Sequence, residues 1–347
     1  MPKTMKAAVM NGIGEIGYVE KEIMAVKPDE VLVKLEYIGI CGSDIHYYES
    51  GRIGDYIVKP PFVLGHECSG TVAEKGSLVT HLEIGDRVAL EPGKTCGSCC
   101  FCREGKYNLC SDVIFFATPP VDGVFQEYIA HEAALCFKLP DNLSTLEGAL
   151  IEPLAIGFHA AIKGQAMVGK TAAVIGAGCI GLVSLLALNA CGVSQVFVAD
   201  LLDKRLDKAR ELGASDVINS KENDVAKKIL ELTGGLGCDL VIECSGAEAA
   251  AAQAVAMTRK GATIVMVGYS KTGMVNFPMA QAMNKELRIE TVFRYRHMYP
   301  LAIKAVAAGK VNLKGLVTDY FAFDDLQNAM DRSVADKENI VKAVVRV

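Results

Sequence analysis

The sequence lacks any long block of like charge. Its 36 lysines and arginines against 41 aspartates and glutamates leave a formal net charge of −5, with the two signs interspersed. A polyanion-binding face needs clustered cations, so neither nucleic acid nor an anionic membrane surface is expected as a partner. Also missing is a basic segment followed by an uninterrupted apolar core and a small-residue cleavage site, since the start reads MPKTMKAAVM. Nothing there directs secretion, and the expected compartment is the cytoplasm. There is no internal repeat with a period of roughly 20 to 50 residues, no low-complexity stretch and no Pro/Ser-rich linker. Proline is scarce, at 11 residues against 33 glycines, and 51% hydrophobic with 22% charged residues describes a folded globular chain rather than a disordered or fibrous one. A length of 347 residues accommodates about two domains.

One stretch, Ala172 to Ala199, carries no charged side chain and needs a membrane check. Gly176, Gly178 and Gly181 break it into a short strand and a following helix, and Gly192 ends that helix before QVFVAD starts a second strand. Turn chemistry therefore excludes a membrane span.

The patterning predicts an α/β protein with two unlike parts. From Met5 to about Ala130 the apolar segments are short and alternating (KAAVM, EVLVKLEYIG, CSGTVAE, DRVAL, FQEYIA), which predicts a mostly β, barrel-like domain. From about Gly169, apolar strands alternate with longer amphipathic helices (TAAVIG, CIGLVSLLALNACG, QVFVAD, KRLDKARELG, DLVIEC, ATIVMVG, RIETVF), which predicts a parallel, doubly wound sheet. The expected boundaries are 1–155 for the first domain and 156–295 for the second. Residues 296–347 are too few for a core of their own and are expected to return to the first domain. The two domains are expected to meet across a cleft.

GAGCIG, from Gly176 to Gly181, follows a strand and opens a helix, the context that makes a GxGxxG pattern informative. The first glycine permits the tight turn, the second lets backbone approach a pyrophosphate, and the third allows close helix packing. Cys179 and Ile180 start a helix whose unpaired N–H groups suit phosphate. Asp200 closes the next strand, where a carboxylate accepts from both adenosine-ribose hydroxyls and repels a 2′-phosphate, so NAD is expected. Arg205 nearby keeps NADP open. Cys244, Ser245 and Gly246 after DLVIEC, and Val267 and Gly268 after ATIVM, fall at later strand ends, where such a sheet places its ligand.

Twelve cysteines in a chain without a secretion signal should be reduced thiols. Cys96, Cys99, Cys102 and Cys110 cluster in a lobe (GSCCFCREGKYNLC) with little apolar content, which suits a closed, structural tetrahedral zinc. Cys100 is the spare thiol. A second, dispersed set lies in GICGSDIHYY, GHE and ALIEPLAIG. Cys41, His66 and a carboxylate from Glu67 or Glu152 would leave an open coordination position, as in a catalytic zinc. Taken singly, these residues are ordinary: a small buried thiol, a turn histidine and a solvated charge.

GICGSDIHYY, GHECSG, GDRVALEPG, the cysteine quartet, ALIEPLAIGFHA and GAGCIG occur in the order of the zinc-dependent medium-chain dehydrogenases, which the chain resembles over essentially its whole length. HYYESGRIGDY, FFATPPVDG, the IEP segment and the triplet Phe293–Tyr295 resemble the sorbitol (polyol) branch, and xylitol and L-arabinitol dehydrogenases share much of this pattern. The resemblance implies a chaperonin-10-like (GroES-like) catalytic barrel flanking a Rossmann domain, and a homotetramer. It implies Cys41, His66 and Glu67 as catalytic zinc ligands, with Glu152 nearby to ligate or to hold water, and Glu67 against Glu152 stays open. Two zincs per chain are expected. Ser43, His46 and Glu152 are the expected proton path, and Asp44 the partner of His66. Tyr47, Phe115, Thr118, Arg294 and Tyr295 are the expected substrate contacts, with Phe293 and Arg294 also near the cofactor. The expected reaction moves hydride from a secondary hydroxyl of a polyol to NAD. An L-threonine 3-dehydrogenase-like enzyme and a non-catalytic nucleotide-binding scaffold are the other readings.

Overall fold

The structure is a computed structural model that describes residues 3–270 and 272–347. The chain divides into two compact units, Met1–Glu152 with Val317–Val347, and Pro153–Leu316.

The first unit is built on a seven-stranded sheet whose hub is the strand Glu30–Gly39, EVLVKLEYIG. Seven of its ten residues are buried, as expected where both faces are largely covered. It pairs antiparallel with Glu67–Lys75, with Tyr128–Glu132 and with the C-terminal strand Ala343–Arg346. Val31, Val33, Leu35 and Ile38 of the hub pack with Val72, Leu90, Phe125 and Val345 into one apolar core. Each such side chain contributes about 1.5–3 kcal/mol by leaving water. The strand register sets Gly39 opposite Glu67 on one side and Val344 on the other. The chain's end is thereby brought beside the turn that carries Glu67.

The second unit is a six-stranded, all-parallel sheet. Its strands run Thr171–Ile175, Gln195–Asp200, Asp216–Asn219, Cys238–Glu243, Thr258–Met266 and Arg288–Thr291, in the spatial order third, second, first, fourth, fifth, sixth. The strand order reverses beside the first strand, which places a ligand crevice at the carboxyl ends of the first and fourth. Gly192, at φ +80°, ends the helix Cys179–Ala190 in the left-handed conformation a glycine adopts without strain. Among the described residues, no helix is long and apolar enough to cross a membrane.

The return to the first unit starts at Val317 rather than at residue 296. The helix Tyr299–Ala307 buries Tyr299, Ala302, Ile303 and Val306, and the turn Lys314–Leu316 packs against the helix Cys179–Ala190. This segment therefore completes the core of the second unit, and the strand pairing that defines the return begins only at Asp319.

Candidate active site

The side chains of Cys41, His66 and Glu67 converge, their ligand atoms all within 4.8 Å of one another. Cys41 ends the loop after the hub strand and caps the helix Gly42–Ser50, while His66 and Glu67 lie where the strand Glu67–Lys75 begins. Asp44 holds the two turns together. It is fully buried, and its carboxylate accepts from the backbone N–H of Cys41 at 2.9 Å and of Gly65 at 2.9 Å. Its oxygen lies 3.8 Å from His66 Nδ1, an electrostatic contact longer than a hydrogen bond. Asp44 thus acts on this site mainly through backbone.

Electrostatics favour a cation here. Burial disfavours a charged His66, yet Cys41, Asp44 and Glu152 outweigh it and raise the imidazole well above its usual range. A field that would hold a proton on an imidazole between a thiol and carboxylates would equally hold a divalent metal, which displaces that proton. One thiolate, one imidazole and one carboxylate fit zinc with a position left open. Glu152, buried in the first turn of the helix Ile151–Lys163, is outside the converging group although its charge acts on His66. Of the two carboxylates, Glu67 is the one inside the converging group.

Phe115 packs on His66 with ring centroids 5.7 Å apart, and Thr118 donates its backbone N–H to the carbonyl of Phe115 at 3.2 Å. Ser43 is half-buried and His46 exposed on the helix Gly42–Ser50. Tyr47 is 4% exposed and belongs to the first unit's core. Phe293, Arg294 and Tyr295 belong to the second unit. There Arg294 lies 4.9 Å from the Phe293 ring centroid and Tyr295 packs against Tyr299 with tilted rings 5.8 Å apart, so part of their sequence signal is packing.

Sequence reasoning passed over Lys342. It is 1% exposed, its ammonium is ion-paired with Glu67, and it donates to the carbonyl of Ile40 at 2.9 Å. The available signal was a lysine inside the apolar run IVKAVV.

In the lobe, Cys96, Cys99, Cys102 and Cys110 also bring their sulfurs within 4.8 Å of one another, with Cys96 and Cys110 3.6 Å apart. A tetrahedral zinc with Zn–S bonds of about 2.3 Å needs sulfurs about 3.8 Å apart, so the quartet fits. Backbone N–H groups of Ser98 and Cys99 lower the Cys96 thiol to about 6, preparing a thiolate. Cys100 is exposed and outside this group, and all twelve cysteines are free thiols.

The glycine loop of the second unit fits a dinucleotide. Gly176, at φ +93°, has Ser245 only 3.1 Å from where a Cβ would sit, and a Cβ on Gly181 would overlap the Gly176 carbonyl. The protein itself requires both. Gly178 differs: a Cβ there would meet nothing closer than the Arg205 guanidinium at 3.8 Å. The space over Gly178 is open, and this residue caps the helix Cys179–Ala190 with no side chain on its N–H groups. Those donors and the helix dipole suit a pyrophosphate. Asp200 accepts from the N–H of Ala177 at 2.6 Å and of Leu202 at 2.9 Å. Cys244 lies 3.8 Å from the Ser184 hydroxyl, and Val267 donates to the Glu243 carbonyl at 2.8 Å. Cys179 and Ile180 open the helix, half-buried.

Fold and site together define a zinc-binding oxidoreductase with a GroES-like unit and a Rossmann unit. The family description "Alcohol dehydrogenase GroES-like domain" matches residues 27–141, and "Zinc-binding dehydrogenase" matches residues 179–308. The sorbitol dehydrogenase of Bacillus subtilis is 43% identical over 345 residues, covering 99% of this chain and 98% of that protein. The sorbitol dehydrogenase of Macaca fascicularis is 46% identical over 335 residues, covering 95% of this chain and 92% of that protein. A short chain alcohol dehydrogenase from Escherichia coli CFT073, solved with NADH, superposes with a TM-score of 0.92 at 29% identity, covering 100% of both chains. The chain belongs to the zinc-binding medium-chain alcohol dehydrogenase family.

Proposed function

We propose that the protein is an NAD-dependent zinc polyol dehydrogenase that oxidises a secondary hydroxyl of a sugar alcohol to the ketone. The observation that carries this reading is the gathering of one thiol, one imidazole and one carboxylate, Cys41, His66 and Glu67, in a chain so close to two sorbitol dehydrogenases. Zinc held by these residues would supply Lewis-acid stabilisation of a deprotonating hydroxyl, and NAD would accept the hydride. In this reading Asp44 fixes the spacing of the two ligand turns through their backbone N–H groups. Phe115 shields one side of His66 from water, which strengthens electrostatic interactions at the reacting hydroxyl. Half-buried Ser43 and exposed His46 give the departing proton a path of increasing exposure along one helix, and buried Glu152 is its first acceptor or the group that holds the water.

For the cofactor, the loop Gly176–Gly181 would hold the pyrophosphate, with Arg205 leaning over Gly178 and Cys244 and Val267 just past the ends of the fourth and fifth strands. Asp200 would meet the adenosine ribose and reject a 2′-phosphate. The choice of NAD rests on Asp200, because structural relatives at 29% identity are solved with NADH and with NADP. Two zincs per chain, a homotetramer and a cytoplasmic site of action complete the proposal, the tetramer resting on the family resemblance.

The test is NADH formation by zinc-loaded protein with excess NAD and a panel of D-sorbitol, xylitol, L-arabinitol, galactitol, L-threonine and ethanol. A preference among the polyols supports the proposal and names the substrate. L-threonine or ethanol winning would discard the polyol assignment, and silence throughout would discard the activity.

A further inference from the structure

A lysine almost never goes fully into a protein interior unless its charge is matched. Lys342 is 1% exposed and so is its partner Glu67, and neither sits at a surface where the pair would be incidental. The backbone is shaped to admit them. Strand register puts Gly39 between Glu67 and Val344, and a Cβ at Gly39 would overlap Glu67 Oε2 and lie 3.1 Å from both Lys342 Cε and Nζ. The hub strand thus carries its one missing side chain where the ion pair crosses it. The second contact of the ammonium, to the carbonyl of Ile40, is on the residue immediately before Cys41. One cation therefore touches the backbone leading to one member of the converging group and the carboxylate of another. The same Glu67 lies within 4.8 Å of the Cys41 and His66 ligand atoms.

We propose that Lys342 is a positioning residue for the catalytic metal: it pins one oxygen of Glu67, leaving the other to ligate beside Cys41 and His66. The inference rests on the reading of this cluster as a zinc site. A carboxylate free to rotate or to take both lone-pair sets elsewhere would be a poorer ligand, because ordering it would be charged against metal binding. Lys342 does that ordering in advance. It also balances charge: Glu67 is 1% exposed, and the Lys342 ammonium is paired with it inside the fold. The chain's last thirty or so residues, which also give the first unit a strand and core side chains such as Phe323 and Met330, bring this cation to Glu67.

The test is competition of zinc against a chromogenic chelator, with metal and chelator alone and neither alcohol nor dinucleotide present, on wild type and Lys342→Met. Wild type is expected to hold two zincs, and the variant to keep the lobe zinc while the dissociation constant of the other rises about 10- to 100-fold, the usual loss when a ligand's supporting partner is removed. A second zinc held within twofold of wild type overturns the proposal. If Lys342→Met fails to fold, the comparison moves to Glu67→Gln against Glu67→Gln/Lys342→Met, in which no anion is left unpaired. With the carboxylate gone, Lys342 has nothing to position, so its loss leaves zinc affinity unchanged or improves it. A further tenfold loss overturns the proposal. A wild-type chain that binds only the lobe zinc removes the site itself, whereas two bound zincs without polyol oxidation count against the activity alone.

Discussion

Asp44→Asn is the sharpest perturbation of the site, because it changes one atom and almost no volume. The native carboxylate accepts one backbone N–H on each oxygen, from Cys41 and from Gly65, inside a fully buried environment. Hydrogen bonds to a charged acceptor contribute about 1.5–3 kcal/mol each. Asparagine can serve one of the two donors through its carbonyl oxygen. Its NH₂ must then face the other donor, which stays buried and unsatisfied at a cost of about 1–3 kcal/mol. Together these give a local loss of about 2.5–6 kcal/mol confined to the turns that carry Cys41 and His66. A two-unit chain need not unfold in a single transition, so global melting is a blunt readout. Amide hydrogen exchange reports opening locally. Peptides spanning Gly39–Asp44 and Leu64–Glu67 are expected to exchange at least tenfold faster, since 1.4 kcal/mol is a factor of ten. Peptides of the second unit's sheet should not change, and zinc content should fall from two towards one. Unchanged exchange at both turns with two zincs retained would refute the bridging role of Asp44.

Cys41→Ala is expected to lose one zinc of two and to cut turnover at least a hundredfold with NAD affinity within twofold, measured by metal analysis and dinucleotide titration; Cys99→Ala is expected to lose the other zinc and to open the lobe to proteolysis. Glu152→Ala should sharply reduce turnover and spare NAD affinity, and full activity would remove Glu152 from the proton path. Burial pushes the Glu91 carboxyl up to about 7 from 4.5, although the Tyr107 hydroxyl that donates to it opposes the shift. The folded chain then holds a proton that the unfolded chain has released, so stability falls as pH rises from about 4.5 to about 7, by about 3 kcal/mol at most. Urea midpoints of Glu91→Gln should lack that part of the decline seen in wild type.

What could be read from residues alone tracked chain distance. GAGCIG and the cysteine quartet each compress a turn, its donors or its ligands into a few consecutive positions, so local chemistry states their geometry. Cys41, His66 and Glu67 meet only because the strand Glu30–Gly39 pairs in register with Glu67–Lys75, and period-2 alternation gives no register between distant strands. Family resemblance supplied what spacing could not. Lys342 was hidden for the opposite reason, since a lone lysine near a strand end ordinarily reaches solvent, and its burial depends on a partner hundreds of residues away. The boundary at Leu316 was also invisible, because Tyr299–Ala307 is amphipathic in a way that suits either unit. Tyr47 and Tyr295 show the reverse hazard: their aromatic pattern is shared by packing and by recognition, and both are almost wholly buried.

The organisation of the metal cluster accounts for the interrupted layout of the first unit. The cluster's three members come from two turns, and each turn is tied by an opposite-sign contact that does not itself include the metal: Asp44 to the N–H groups of Cys41 and Gly65, and Lys342 to Glu67 and the carbonyl of Ile40. The first tie is local, within helix-capping distance of Cys41. The second reaches across the sheet to a strand that enters only after the whole second unit has been made. A first unit ending at Glu152 would retain Cys41, His66, Glu67 and Asp44 yet lack the strand Ala343–Arg346 on one edge of its hub and leave Glu67 buried without a cation. Removing one partner of a buried ion pair costs about 3–5 kcal/mol. That penalty falls on Glu67, a member of the converging group, so the returning segment completes both the hub sheet and the surroundings of the proposed metal site.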